Sequence, residues 1–237
     1  MSAIVRRSTS SWFPAAPDST APSTARGLDV YPQQTLQPFG VLDALDRLGL
    51  APSSGAEIVA LDISPRIVDH VTRARARAVK NVGYTLNLAL PKSVPWLPEV
   101  RAYWTTFGDR IGAPAAAPAS KAIADLADVR AVRVRPSVVK RLSVLNVNMV
   151  TDRLDAEPFD LVIATNVFIY YDVLDQTLAL ANVEAMLKPG GFLLANFSAP
   201  ELASVRMRRV DTTTTLYART AAENIRDFIV WYQAAAK

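Results

Sequence analysis

Cysteine is absent from all 237 residues, and histidine occurs once, as His70. The first absence excludes disulfides, thiol nucleophiles and thiolate metal sites, and it suits a reducing cytoplasm, the location expected here. The second excludes a histidine-built metal cluster, so no metal is expected. Glycine is scarce, with 9 residues and Gly190-Gly191 as the sole adjacent pair. No apolar run reaches about 18 residues, the usual length of a membrane span, so no membrane partner is expected. Charge of one sign is also lacking: the formal net charge is +4, mild for a chain with a pI near 9.5. Arg66, Arg73, Arg77, Arg133 and Arg135 fall on separate elements and read as a solvated face, so nucleic acid is not expected as a partner.

What is present is apolar. Half of the chain is hydrophobic, enough for one large core. Residues 1–26 are the exception, rich in Ser, Thr, Pro, Ala and Arg without periodicity, and read as a disordered arm. Their basic, acid-poor composition as far as Asp18 also suits a transit peptide. Residues 27–237 read as one α/β domain.

The segment from Glu157 to Ser198 organises that domain. Phe159 to Ala164 is a short Val/Ile-rich run of the kind buried on both faces of a parallel sheet. Asp172 caps a helix running to about Leu187, with Leu174, Leu178, Ala181 and Ala185 on one face. Lys188 meets the negative end of the helix dipole, and Pro189-Gly190-Gly191 ends the helix. Phe192 to Phe197 is a second buried strand. Two buried strands joined by a helix form a βαβ unit, so an α/β fold with a mostly parallel sheet of about seven strands is expected.

Upstream, Gly27 to Tyr31 reads as a first strand. A helix then starts at Pro38 with Val41, Leu42, Leu45 and Leu48 as its apolar positions. Glu57 to Leu61 is a strand. Ser64-Pro65 starts a helix that turns Ile67, Val71, Ala74 and Ala78 inward. Residues 81–129 read as a helical insertion, because Leu97, Val100, Trp104, Phe107 and Ile111 recur at spacings of three and four; Ala113 to Ala119 is an Ala/Pro linker. Ala131 to Arg135 is strand-like and Leu142 to Val150 gives a further strand. Arg206 to Arg219 and Asp227 to Gln233 close the chain as two more.

The pair FDLVIATNVFIYYD and LKPGGFLLAN, at this separation, resembles the fourth strand, following helix and fifth strand of class I S-adenosylmethionine-dependent methyltransferases. Within that family it is most similar to the chemoreceptor glutamate methyltransferase branch. The resemblance implies a Rossmann-like class I methyltransferase sheet, mostly parallel, with a closing antiparallel strand pair. It implies S-adenosylmethionine as cofactor and methyl transfer as activity, with a carboxylate or protein side chain among the conceivable acceptors. The family's first strand runs into a glycine-rich loop, whereas this chain holds Tyr31-Pro-Gln-Gln-Thr-Leu-Gln-Pro38. That departure keeps a second reading open, a methyltransferase fold acting as a non-catalytic binding or scaffold module.

The candidate site residues follow strand ends. Asp62, with Ile63 after it, stands at the carboxyl end of its strand, where an acidic side chain accepts from both ribose hydroxyls of a nucleotide-like cofactor. The bland alternative is a turn aspartate at the start of a helix. Asn148 matches, by resemblance, the Asn of an Asn-Leu pair lining the adenine pocket, and Met149 departs conservatively from its Leu; Asn148 as a turn residue is the alternative. Thr165 and Asn166 occupy the place of an Arg-Asn pair beside the transferring methyl, with Asn166 matching and Thr165 differing. Tyr170 and Tyr171 wall the substrate side or simply pack. No residue is identified as a catalytic base. Because the sulfonium is already activated, such a protein acts largely by holding nucleophile and methyl in line.

Overall fold

The computed structural model describes residues 4–5, 36–51, 55–117, 121–155, 157–199, 204–220 and 224–236. The expected strand Gly27 to Tyr31 and residues 31–35 of the following loop lie outside these, as does the arm apart from Ile4–Val5. In chain order the elements are β1 (Ile4–Val5), α1 (Leu36–Leu48), β2 (Ile58–Asp62), α2 (Pro65–Val79), β3 (Tyr84–Pro91), α3 (Pro98–Thr106), β4 (Gly112–Ala115), α4 (Lys121–Leu126) and β5 (Ala127–Val134). They continue with α5 (Pro136–Val139), β6 (Leu142–Asn146), β7 (Phe159–Ala164), a 3-10 turn (Phe168–Tyr170), α6 (Val173–Met186), β8 (Leu187–Ala195), β9 (Met207–Arg219) and β10 (Asn224–Ala234).

Hydrogen bonding divides the strands into three sheets, β1-β2-β6, β7-β8-β10-β9 and β3-β5-β4. The first is parallel throughout. In the second, β7 and β8 are parallel, and β10 is antiparallel to both β8 and β9. The closing antiparallel pair is therefore present. The strand read as the start of an arm, Ile4–Val5, pairs with Ala60 and Leu61 and lies against β7. Across that contact the order is β6-β2-β1-β7-β8-β10-β9, in which β10 runs opposite to its two neighbours. The expected single sheet holds in part, since the ladder hydrogen bonds join two sheets and a third stands apart.

Side-chain periodicity explains most elements. Ile67, Val71, Ala74 and Ala78 are the buried residues of α2, and Pro65 is its first residue after Ser64. They join α1, β2 and the third sheet in one core cluster that includes Phe39, Leu42, Leu86 and Ile111. A second cluster lies between α6 and β7, β8 and β10, centred on Val162, Phe168, Leu180, Val183 and Leu193.

Three features differ from expectation. First, 81–129 is not a helical insertion; α3 and α4 are accompanied by β3, β4 and the start of β5. Tyr84, Leu86, Leu88 and Leu90 are buried in alternation with Thr85 and Asn87, the period of a half-covered strand. The expected Ala/Pro linker overlaps β4, whose Gly112 is required by close pairing: a Cβ there would clash with the Arg133 carbonyl oxygen. Second, α6 turns Ala179, Leu180, Val183 and Met186 inward, while Leu174 is 67% exposed. The helix is apolar nearly all round, so spacing alone offers two stripes, and contact with the sheet selects the other one. Third, β8 starts at Leu187, directly after α6. Phe159 pairs with Leu187 and Leu161 with Phe192, so Lys188–Gly191 bulges out opposite Asp160. The Lys188 ammonium meets the Asp160 carboxylate at 2.6 Å. Burial works to raise that carboxyl, but hydrogen bonds and positive charge, those of Lys188 among them, hold it below its ordinary value.

Candidate functional site

Strand ends converge where β2, β6, β7 and β8 finish. A small cavity of about 10 Å³ is lined by Leu61, Asp62, Ile63, Val147, Met149, Val167 and Tyr171. Asp62, Ile63 and Met149, chosen separately from sequence, thus meet in one place, and Asn166 immediately precedes a fourth lining residue. Asp62 is 4% exposed, and its Oδ1 accepts from the Ser64 backbone N–H at 2.8 Å. That bond closes the turn leading into α2, so the structural alternative for Asp62 is realised whatever else the carboxylate does. Asn148 does not line this cavity. Its Oδ1 accepts from the Val150 N–H at 3.0 Å, and its own N–H donates to Asp152 Oδ2 at 2.9 Å. It serves the turn after β6, an Asx turn.

A second cavity of about 40 Å³ opens on the other side of β7, lined by Thr165, Asn166, Asn196, Thr215, Tyr217, Asp227 and Ile229. Asn166 has φ 55, in the left-handed region that asparagine tolerates better than most residues. Its N–H donates to Asn196 Oδ1 at 2.6 Å, and Asn196 Nδ2 donates to Asn166 Oδ1 at 2.6 Å. This reciprocal amide pair ties the carboxyl end of β7 to that of β8. Thr165 Oγ1 accepts from Gln37 Nε2 at 3.0 Å. Gln37, in the first turn of α1, is 1% exposed, and its Oε1 is buried without a hydrogen-bond partner among the described residues.

The far wall comes from β9 and β10. Ile225 pairs with Ala218 and Arg226 with Leu216, which leaves Tyr217 as the extra residue of a bulge. Its carbonyl accepts from the Leu97 N–H at 2.8 Å, so the start of α3 pins the bulge from behind. The Tyr217 hydroxyl hydrogen-bonds the Asp227 carboxylate. Burial, with the Asp227 charge and hydrogen bond adding, pushes the Tyr217 phenol up to about 12. Partial desolvation raises the Asp227 carboxyl, offset in part by the Tyr217 bond; the effect is modest, because Asp227 is an exposed residue.

Asp62, Ile63 and Met149 therefore share one cavity, and Thr165 and Asn166 share another. Tyr171 lines the first; Tyr170 is 56% exposed and lines neither. Gln37, Asn196, Tyr217 and Asp227 were not read from sequence. Asn196 carried the same signal that singled out Asn166, a polar residue directly after a buried strand. Gln37 had a weaker signal, a polar residue inside an apolar helix start. Tyr217 and Asp227 had none, because a bulge sets their register.

No protein-family model matches the chain. No curated protein matches it either. The similar solved structures are methyltransferases with different acceptors. The N-methyltransferase NodS from Bradyrhizobium japonicum WM9 is 10% identical, with TM-score 0.43 over 99% of this chain and 86% of its own. The glycopeptide N-methyltransferase MtfA is 11% identical, with TM-score 0.43 over 99% of this chain and 89% of its own. A TehB-like SAM-dependent methyltransferase from Corynebacterium glutamicum ATCC 13032 Kitasato is 9% identical, with TM-score 0.41 over 99% of this chain and 80% of its own. Structures of NodS with S-adenosyl-L-homocysteine and of MtfA with S-adenosyl-L-methionine are among the matches. At TM-scores below 0.5 these are distant likenesses of chain path.

Proposed function

We propose that the chain is an S-adenosylmethionine-dependent methyltransferase of class I type, working at the shared carboxyl edge of β2, β6, β7 and β8. The observation that carries this is the meeting of Asp62, Ile63 and Met149 in one cavity, one residue from Asn166. The donor chemistry suits the cofactor. Asp62 offers a carboxylate to ribose hydroxyls. Gln37 Oε1 is a buried acceptor with no donor among the described residues, which an ammonium such as that of the methionyl group would satisfy. Met149 and Tyr171 give the apolar wall an adenine ring needs. When bound, the cofactor supplies an activated methyl on sulfur; the chain's part is to hold it, exclude water and aim the acceptor. The likeness to the chemoreceptor branch rests on the paired motifs around β7 and β8, and the acceptor is a small molecule or a protein side chain.

The methyltransferase domain is taken as residues 27–237 together with β1, which pairs with β2, in a cytoplasmic protein. No helix among the described residues is long and apolar enough to cross a membrane.

A second reading, a scaffold that kept the sheet and lost the chemistry, is favoured by one observation. Asp62 and Asn148 both already hydrogen-bond neighbouring backbone N–H groups. Isothermal titration with S-adenosylmethionine and S-adenosylhomocysteine decides between them. Saturable binding below millimolar concentration is expected. No heat at millimolar ligand would leave the scaffold reading standing.

A further inference from the structure

The 40 Å³ cavity has a chemical sign. Thr165, Thr215 and Tyr217 bring hydroxyls, Asn166 and Asn196 bring amides, and Asp227 brings a carboxylate; among the described lining residues none is basic. A neutral polar wall around that carboxylate complements a cation and disfavours a carboxylate. The size is equally selective. About 10–15 Å³ of such space holds one water, so this cavity admits roughly three atoms of that size, the end of a molecule. Its position adds a third constraint. Asn166, at the end of β7, lies one residue from Val167 in the cofactor-side cavity, so the two cavities flank a single turn. The Tyr217 bulge aims the phenol at Asp227, and the Leu97 N–H holds the bulge in place.

We infer that this cavity is the acceptor subsite, that it takes an amine presented as its ammonium to the Asp227 carboxylate, and that Asp227 accepts the amine's proton while Tyr217 positions it. This rests on the methyltransferase reading above. An ammonium has no lone pair, so a proton must leave before nitrogen can attack. It passes to Asp227, whose carboxylate becomes a carboxylic acid. The nitrogen lone pair then forms the N–C bond to the methyl as the C–S bond breaks, leaving a neutral thioether and a methylated ammonium. Asp227 releases its proton to solvent through its exposed edge. Burial, by raising the Asp227 carboxyl, makes it a better proton acceptor than a surface aspartate. Tyr217 on β9 is the titratable group facing Asp227; Thr165, Asn166 and Asn196 from the ends of β7 and β8, and Ile229 on its own strand, are uncharged.

The test uses the full chain, with ethylammonium as probe and acetate as its counterpart, followed by amide NMR. Ethylammonium should shift the Thr165, Asn166 and Asn196 amides saturably, at best in about the millimolar range expected for so few atoms. Acetate should not. Asp227→Asn should weaken ethylammonium at least tenfold. Tyr217→Phe removes a bond that holds the Asp227 carboxyl down, so binding should survive but set in at higher pH. Acetate binding in place of ethylammonium, or equal ethylammonium affinity in Asp227→Asn, overturns the inference. S-adenosylhomocysteine, titrated separately, distinguishes the two failures. Cofactor binding without ammonium binding sinks the acceptor subsite alone. Ammonium binding without cofactor binding sinks the methyltransferase reading, and the acceptor role with it.

Discussion

Asp62 has two roles that substitution can separate. Its Oδ1 accepts from the Ser64 N–H at 2.8 Å, an Asx-turn bond just ahead of α2, whose cap is Ser64. Losing such a bond costs about 0.5–1.5 kcal/mol. Asp62→Ala should therefore lower stability by about 1 kcal/mol, read as a shift of the urea midpoint at unchanged slope. Asp62→Asn keeps an acceptor oxygen for Ser64 and should stay within about 0.5 kcal/mol of the parent. Binding should respond differently. Hydrogen bonds to a charged group contribute about 1.5–3 kcal/mol and neutral ones about 0.5–1.5. Two ribose bonds to Asp62 then make alanine cost at least about tenfold in S-adenosylhomocysteine affinity, since 1.4 kcal/mol is one decade. Asparagine, which keeps shape but not charge, should fall between parent and alanine. Calorimetry on the three proteins, run beside urea titrations, gives both readings. If Asp62→Asn binds as tightly as the parent, and Asp62→Ala loses stability but not affinity, the carboxylate serves α2 alone and the ribose assignment is wrong.

Three further outcomes follow from the second cavity. Asn196→Ala removes both 2.6 Å bonds to Asn166 and should cost about 1–3 kcal/mol in urea unfolding, at about 0.5–1.5 kcal/mol per bond; an unchanged midpoint would mean the amide pair is not formed in solution. Because the Tyr217 phenol is raised to about 12 in the folded chain, its contribution is intact below pH 10 and lost as pH rises toward 12. Tyr217→Phe should flatten that decline in a series of urea midpoints, and identical slopes would contradict it. The Asp227 carboxyl is raised as well, so its contribution is present below its ordinary value and lost as pH rises. The urea midpoint of Asp227→Asn should thus gain on that of the parent as pH rises from about 3 to 7, by a small amount because Asp227 is exposed; a difference that does not change with pH would refute the assignment.

How much was legible depends on what each element had to choose between. For β7 the run Phe159 to Ala164 offered no alternative face, because both faces are covered, and its limits are as expected. For α2 the arginines left only one apolar stripe, and all four inward residues are as read. For α6 the apolar residues wrap the helix, so two stripes fit the same period and the sheet decides. In the third sheet two signals compete: Leu97 to Ile111 has helical spacing over α3, whereas β3 shows only in the alternation of Tyr84 to Leu90. The cofactor-side residues were legible as strand ends, which sequence marks well. The opposite wall was not. Tyr217 and Asp227 meet only because β9 carries one more residue than β10 at that point, and no local pattern encodes that offset.

The places where local rules are broken nonetheless coincide. A left-handed asparagine, a buried amide oxygen with no partner among the described residues, a partly desolvated carboxylate and a strand bulge all lie around the ends of β7 and β8 or the strands that face them. Each works against stability by an amount a packed fold would ordinarily avoid. Structural necessity does not account for them together. A smaller residue at Gln37 would remove the unmet acceptor, and asparagine at Asp227 would relieve the desolvated charge. Local disagreements of this kind are expected at sites retained for function rather than for folding. On this argument the carboxyl edge is the working face of the molecule, with a cofactor side at Asp62 and an acceptor side at Asp227. It also explains why stability and binding are expected to move in opposite directions on substituting Asp227, but in the same direction for Asp62→Ala. Asp62 was recruited from a group that already closes the turn into a helix. Asp227 opposes the fold slightly, and the pH-dependent gain on its neutralisation measures how much that opposition costs.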